Sequence, residues 1–119
     1  MSSLNIENAV VHNSVHSQFK FDQSTIVLAG TATLLDGPAT ILRIDPGGAA
    51  RNVVLPATTR ANKGRCFIIF NDADAAETLT LKQSDGSTTV IAVAQGKCGL
   101  VFNDGSGSTT ASWMGLLGS

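Results

Sequence analysis

Clusters of turn-forming residues divide the chain after residue 24 into short segments, and they restrict its fold more than any other feature. Each cluster joins an Asp to Gly, Pro or Ser, which supply the positive φ angle, the fixed φ angle or the side-chain hydrogen bond that tight turns require. The clusters are Asp36-Gly37-Pro38, Asp45-Pro46-Gly47-Gly48, Asp85-Gly86-Ser87 and Asp104-Gly105-Ser106-Gly107. We therefore expect strands between the turns, and no helix in the body beyond at most one turn at residues 73–77.

Apolar segments lie between these turns and predict β-strands. They cover residues 25–35, 39–45, 52–55, 65–71, 78–82, 88–93, 97–103 and 111–117. Leu79 and Leu81 alternate with polar neighbours, which is typical of a strand with one face on a core. Residues 66–70 (Cys-Phe-Ile-Ile-Phe) are apolar on both faces, so this strand needs cover on two sides, either by a second sheet or by another subunit. The sequence predicts an all-β fold, a small sandwich or barrel of about eight short strands.

The first 23 residues differ from the rest of the chain. Apolar and polar residues are interleaved there without a helix cap, a heptad or a clear period. We interpret residues 1–23 as an extended N-terminal arm and residues 24–119 as a single β-domain, which suits the chain length. Such an arm is expected to order by lying on another surface, for example a neighbouring copy. Its candidate interface residues are Leu4, Ile6, Val10, Val11, Phe19 and Phe21.

Charged residues are scarce, at 14% of the chain, against roughly one quarter in an ordinary soluble domain. A surface so short of charge predicts self-association. The net charge of -1 leaves no basic surface to neutralise phosphates, so no nucleic-acid partner is expected. The N-terminus lacks a signal-peptide pattern, and no apolar run reaches the roughly 20 residues of a membrane span. We expect a soluble chain made in the cytoplasm, with no membrane partner.

A weak internal repeat relates residues 64–72 to residues 96–104, at an offset of 32 residues. The two copies read Gly-Arg-Cys-Phe-Ile-Ile-Phe-Asn-Asp and Gly-Lys-Cys-Gly-Leu-Val-Phe-Asn-Asp. Residues 41–45 form a looser third copy. Each copy leads through an acidic turn to a second strand, which predicts three related hairpins. Duplication of a segment, or a shared need for Asn or Asp where a strand enters a turn, accounts for the pattern.

Few side chains offer chemistry. His12 and His16 have the spacing of helical zinc ligands, but no further ligand follows them, so we expect no cofactor and no metal, unless one lies on an oligomer axis. Cys66 and Cys98 lie within apolar strands, which favours two buried free thiols over a disulfide. Because the predicted body has no histidine to act as a base, the chain is not expected to be an enzyme.

Three stretches join turns and strands in a distinctive order without any reactive residue. They are Asp45-Pro46-Gly47-Gly48-Ala49-Ala50-Arg51-Asn52-Val53-Val54-Leu55-Pro56, Phe67-Ile68-Ile69-Phe70-Asn71-Asp72-Ala73-Asp74-Ala75-Ala76-Glu77-Thr78-Leu79-Thr80, and Phe102-Asn103-Asp104-Gly105 before Trp113. Over residues 28–119 the chain resembles tailed-bacteriophage virion structural proteins, most closely the small capsid decoration, or cement, proteins.

This resemblance implies a β-rich homotrimer at three-fold positions of a capsid, where it braces the shell against internal DNA pressure. The implied partners are further copies of the chain and the major capsid protein. The implied location is the capsid surface of a virion that is assembled in the host cytoplasm. The arm would then reach a neighbouring subunit or the capsid protein.

Three residues of the body are candidates for either the trimer interface or the core: Phe67, Ile69 and Trp113. The apolar neighbours of Trp113 favour such a position over a sugar-binding platform. The alternative function is recognition of a host receptor or glycan by a tail-fibre, head-fibre or baseplate module, through loops near residues 85–89 and 105–110. The absence of Tyr and the single Trp weigh against that alternative, because sugar sites usually need exposed aromatic rings.

Overall fold

The computed structural model describes residues 21–37 and 39–118. These residues form nine strands in two sheets and contain no helix, which confirms the predicted all-β fold. The strands are β1 Gln23–Val27, β2 Ala32–Thr33, β3 Ile41–Asp45, β4 Arg51–Val54, β5 Cys66–Asn71, β6 Leu79–Lys82, β7 Thr89–Val93, β8 Cys98–Asn103 and β9 Trp113–Leu117. The predicted arm residues Leu4, Ile6, Val10, Val11 and Phe19 lie outside the described residues.

Every predicted segment overlaps a strand, and the first one overlaps two. The segment 25–35 bends at Ala29 and Gly30, which separates β1 from β2. Residues 73–77 form a bend and not a helical turn. The side chain of Asn71 holds this loop, because its oxygen accepts the Ala73 N–H at 3.0 Å and its amide donates to the Glu77 carbonyl at 2.7 Å.

The first six strands alternate between the two sheets, so the chain winds through three stacked coils. The five-stranded sheet has the order β1-β3-β5-β8-β9 and the four-stranded sheet the order β2-β4-β6-β7. Strands β1, β3 and β5 are mutually parallel, as are β2, β4 and β6. The first two predicted hairpins are therefore wrong, because β3 and β4, like β5 and β6, belong to different sheets. A corner between sheets and a hairpin need the same turn residues, so the local pattern does not separate them.

Antiparallel strands close the stack at its C-terminal end. Strand β7 pairs with β6, β8 pairs with β5, and β9 pairs with β8. The third predicted hairpin is thus present, as the antiparallel pair of β8 and β9 with a long connecting loop. Parallel coils and antiparallel closing strands together make both sheets mixed.

The internal repeat occupies two neighbouring strands that are related by a local two-fold. The Gly64 N–H donates to the Asn103 carbonyl, and in the matching position the Gly96 N–H donates to the Asn71 carbonyl, both at 3.0 Å. The two asparagines are buried at the ends of β5 and β8. Matching residues of the repeat therefore take equivalent places in one antiparallel ladder.

The core lies between the two sheets. Its buried apolar residues are Leu28, Leu34, Leu42, Ile44, Val53, Leu55, Phe67, Ile69, Leu79, Leu81, Val93, Val101 and Trp113. The rings of Phe67 and Trp113 stack with centroids 5.7 Å apart, and the Trp113 indole N–H donates to the Pro56 carbonyl at 2.9 Å. Of the two places predicted for Phe67, Ile69 and Trp113, the structure puts all three in the core of a single chain.

Buried polar contacts and close packing hold the closing strands to the four-stranded sheet. Gln83, at the end of β6, donates from its amide to the Trp113 carbonyl at 2.8 Å and accepts the Trp113 N–H at 2.9 Å. A Cβ atom at Gly99 would lie 2.5 Å from Ile91, and one at Gly115 would lie 2.7 Å from the same side chain. Glycine at these two positions is what allows β7 to approach β8 and β9.

Candidate interaction surface

The five-stranded sheet turns one face to the core, and its other face is largely apolar and is not covered by any other element of the described part of the chain. Side chains alternate between the faces of a strand, so the half-buried positions of β5 and β8 point away from the core. We call the apolar part of this side the outer apolar face. Its members are Ile41, Cys66, Ile68, Phe70, Cys98, Leu100, Phe102, Met114 and Leu116.

One row of this face crosses four strands in register. Ile41 lies opposite Ile68, Ile68 opposite Leu100, and Leu100 opposite Leu116. Directly opposed side chains on one face are in contact distance. Leu116 is 63% exposed and Met114 is 44% exposed, so the row is most open at β9, the last strand of the sheet.

A shallow cavity of about 270 Å³ lies in the open part of the outer apolar face. Its walls are almost entirely apolar and include Ile68, Leu100, Leu116 and Leu117. Exposed apolar patches on a protein surface are often sites of contact with another protein.

An ion pair lies at the margin of the outer apolar face. The Arg43 guanidinium contacts the Asp72 carboxylate at 2.7 Å and lies 5.0 Å from the centre of the Phe70 ring. Gln23 and Thr25 of β1 continue the same side of the sheet with polar groups. The apolar centre thus has a polar margin on the β1 side, which is the usual arrangement of a protein interface.

Both cysteines belong to the outer apolar face and are free. They are half-buried, which corrects the predicted full burial, because each alternates with a core residue on its strand. Cys66 lies opposite Phe102 and Cys98 opposite Phe70, so the two thiols stand at opposite ends of the ladder. Four residues of strand separate these levels by about 13 Å, well beyond the roughly 7 Å limit for a disulfide.

A second surface is formed by two hydroxyl-rich loops, residues 84–88 and 104–112. The Asp85 N–H donates to the Thr109 carbonyl at 3.1 Å, so the loops predicted for receptor binding are adjacent. Hydrogen bonds from the Thr88 hydroxyl and backbone N–H, and from the Ser87 N–H, lower the pKa of Asp85. The Ser106 N–H lowers the pKa of Asp104 in the same way.

The hydroxyl groups of the second loop are engaged within the protein. The buried Ser112 hydroxyl accepts a hydrogen bond from Thr58 at 2.9 Å and donates to the Ser108 carbonyl. Ser106 lies 3.1 Å from the same hydroxyl. These contacts order the loop and leave Thr109 and Thr110 exposed.

The structure separates the predicted interface residues into two groups. Phe21 is 48% exposed and precedes β1, whereas Phe67, Ile69 and Trp113 are covered by the chain itself. Sequence reasoning missed their outward neighbours, above all Ile68, Leu100 and Leu116. The two-sided apolar pattern of residues 66–70 carried the signal, but it does not tell which face meets the second sheet.

Within residues 21–37 and 39–118, no three His, Cys, Asp or Glu side chains come together as metal ligands. His12 and His16, the predicted histidine pair, lie outside the described residues. The same part of the chain holds no helix that is long and apolar enough to cross a membrane.

Comparison with models of known protein families finds no match to this chain, and comparison with curated proteins finds no similar sequence.

Proposed function

We propose that this protein is a structural component of a virion, a homotrimeric module that decorates and stabilises a phage capsid. The observation that carries the proposal is the outer apolar face. It gives the chain an apolar surface with a neutral margin, which favours association with another protein surface over binding of a charged ligand. The capsid as the place of assembly is supported by the resemblance of residues 28–119 to decoration proteins.

The size of the outer apolar face defines what it contributes to assembly. Four strands and five residues give a footprint of roughly 300 Å², compared with about 800 Å² per partner in a standard interface. At about 25 cal/mol per Å², covering it contributes on the order of 7 kcal/mol. The loss of translational and rotational freedom on association costs about 4–15 kcal/mol. The face therefore forms the centre of an interface that a second contact must complete.

The self-assembly is tested by the mass of the full chain in solution at micromolar concentration, measured by light scattering. We expect the wild-type protein to be an oligomer, and Leu116→Lys to shift it towards the monomer because a charge enters the apolar contact. Ala92→Lys is the matched control, since Ala92 is exposed on β7, outside the outer apolar face. A monomeric wild-type protein would contradict the proposal.

The capsid role is tested by the copy number in purified virus particles, measured by quantitative mass spectrometry against the major capsid protein. A number comparable with that of the capsid protein supports decoration of the shell. A handful of copies per particle contradicts it and moves the protein to a tail or fibre.

A second candidate function is receptor or glycan binding by the hydroxyl-rich loops. The hydrogen bond between Asp85 and Thr109 favours it, because it joins the two loops into one surface. Trp113 offers no platform for a sugar ring there, because it is 2% exposed. Binding on a glycan array that is lost in Thr109→Ala but kept in Leu116→Lys would establish this function. An array without any bound glycan counts against it.

A further inference from the structure

Among residues 21–37 and 39–118, no element covers the N-terminal end of the coil stack, unlike the C-terminal end. We define the open end as β1, β2 and residues 34–35. Strand β1 is the outermost described strand of its sheet, and four of its five residues are exposed. Val27 is 70% exposed and Leu35 is 82% exposed. The free edge of an outermost strand presents backbone N–H and C=O groups to which another strand can add.

A groove of about 350 Å³ lies at the open end. Its lining includes Ile26 of β1 and three residues of the core, namely Leu34, Leu42 and Phe67. The groove thus borders the core at this point. In stacked-coil proteins an end coil of this kind needs a further element that covers it.

The chain segment that enters this end has the composition to cover it. Residues 1–20 lead through Phe21 and Asp22 into β1, and the Asp22 carbonyl already accepts the N–H groups of Thr40 and Ile41 at 3.0 Å. Residues 1–20 include the large apolar side chains Leu4, Ile6, Val10, Val11, Val15 and Phe19. Such a segment matches a groove whose lining is mainly apolar.

The turn chemistry favours the segment of a neighbouring copy over the chain's own segment as the occupant of the groove. Covering its own β1 requires the chain to reverse or to make a further coil, and the described coils turn at Gly30, Gly37 and Gly47. Residues 1–22 contain Asn, Asp and Ser as turn formers but no Gly, so a turn there that needs a positive φ angle costs more than the same turn made at glycine. A segment that arrives extended from a neighbouring copy needs no reversal.

We propose that residues 1–20 of one copy add as an extended strand to the free edge of β1 in a neighbouring copy, with apolar side chains in the groove. This inference rests on the self-assembly in the proposed function, but not on its capsid location. It supplies the second contact that the outer apolar face requires. Exchange of arms between copies also closes a ring without leaving an edge strand exposed.

The test uses the full chain with a photo-reactive residue in the arm. Val15 is replaced by p-benzoylphenylalanine in ¹⁵N-labelled protein, which is unfolded and refolded together with unlabelled protein that lacks the photo-reactive residue. We expect cross-links from the labelled arm to unlabelled peptides that contain β1 or Leu35. Cross-links confined to labelled chains, or cross-links to other parts of the body, overturn the inference.

Two variants of the unlabelled protein sharpen this result. Leu35→Lys, at an exposed residue that lines the groove, should lower the yield of mixed cross-links about ten-fold, as expected for loss of roughly 1.4 kcal/mol of contact. Ala92→Lys, which adds the same charge to an exposed strand position far from the groove, should leave the yield unchanged. Unfolding curves of both variants check that the fold is intact, and equal yields from the two variants overturn the inference.

The mass of the same samples separates this inference from the proposed function. An oligomer whose arm cross-links stay within one chain overturns arm exchange and leaves self-assembly in place. A monomer at micromolar concentration overturns both, and the copy number in particles bears on the capsid role alone.

Discussion

The two ends of the coil stack are built differently. At the C-terminal end, β7, β8 and β9 run antiparallel to their neighbours, and buried side chains join the two sheets. At the N-terminal end, β2 is two residues long and β1 is largely exposed. Both ends belong to the same two sheets, so the difference lies in what covers the last strand.

The contrast shows where the stability of the fold is concentrated. The closed end has the bidentate contact between Gln83 and Trp113 and the close packing at Gly115. At the open end, side-chain hydrogen bonds from Arg65 hold the loop before β3. Because buried contacts set the free energy of local opening, we expect the open end to exchange its amide hydrogens faster than the closed end.

The largest effect is expected from Gly115→Val at the closed end. The new side chain would overlap Ile91 and Val90, which lie 2.7 Å and 3.1 Å from the position of its Cβ. Such overpacking should lower the free energy of unfolding by about 3 kcal/mol. The control is Gly30→Val at the open end, where a Cβ atom would have no neighbour within 4 Å. Denaturant unfolding measures the free energy of unfolding of both variants. Equal losses in the two would contradict the closer packing of the closed end.

Gln83→Ala should have the next largest effect. It leaves the buried N–H and C=O of Trp113 without the contacts that Gln83 makes at 2.9 Å and 2.8 Å. Buried unsatisfied groups should cost about 2 kcal/mol of unfolding free energy. Gln95→Ala is the matched control, because Gln95 is exposed and makes only a 3.3 Å contact with the Ala73 carbonyl. A loss no greater than that of the control would contradict the bridging role of Gln83.

Arg65→Lys tests the Arg65 hydrogen bonds at the open end. The Arg65 guanidinium donates to the carbonyls of Gly37 at 2.6 Å and Ala39 at 2.7 Å, and to the Asp36 carboxylate at 3.0 Å. A lysine ammonium cannot reproduce this planar set of donors, so we expect a loss of about 1 kcal/mol.

Exposed Arg60→Lys provides the control for this substitution. Hydrogen exchange of the β1 and β3 amides should accelerate in Arg65→Lys and not in Arg60→Lys. Faster exchange in β8 and β9 instead would show that Arg65 does not act locally.

The smallest effect concerns the pH dependence of the loop at Asp85. The Thr88 hydroxyl, followed by the backbone N–H groups of Thr88 and Ser87, lowers the pKa of Asp85 in the folded protein. Since the folded pKa lies below the unfolded one, the loop contacts contribute fully above the unfolded pKa and are lost as pH falls through the folded pKa. Thr88→Val should raise the pKa of Asp85 towards its ordinary value. Carboxyl ¹³C NMR titration measures this change, and an unchanged pKa would contradict the hydroxyl as its main cause.

The strands were predictable because their local signals are strong. Asp45 with Gly47, and Asp85 with Gly86, mark turns by chemistry that acts within a few residues. The partners of each strand were not predictable, since pairing of Ile41 with Ile68 depends on the path of the whole coil. Parallel coils and hairpins use the same local pattern, and only the long-range pairing distinguishes them.

The candidate site was predictable in kind but not in detail. Residues 66–70 indicated a strand with two apolar faces, and the structure places Phe67 and Ile69 inward and Ile68 outward. A shift of one residue in the alternation exchanges these roles. The partner sheet fixes the choice, and no single segment of the sequence encodes it.

The local two-fold of β5 and β8 gives the outer apolar face a directional ambiguity. Rotation by half a turn about the midpoint between Ile68 and Leu100 exchanges the two cysteines and also exchanges the two phenylalanines of the face. The face therefore presents nearly the same arrangement of side chains to a binding partner in either of two opposite orientations. The margins distinguish them, because the rotation brings Met114 to the place of Arg43, which forms the ion pair with Asp72. The residues at the rim must therefore select one of the two docking orientations, while the apolar centre contributes nearly the same binding energy to both.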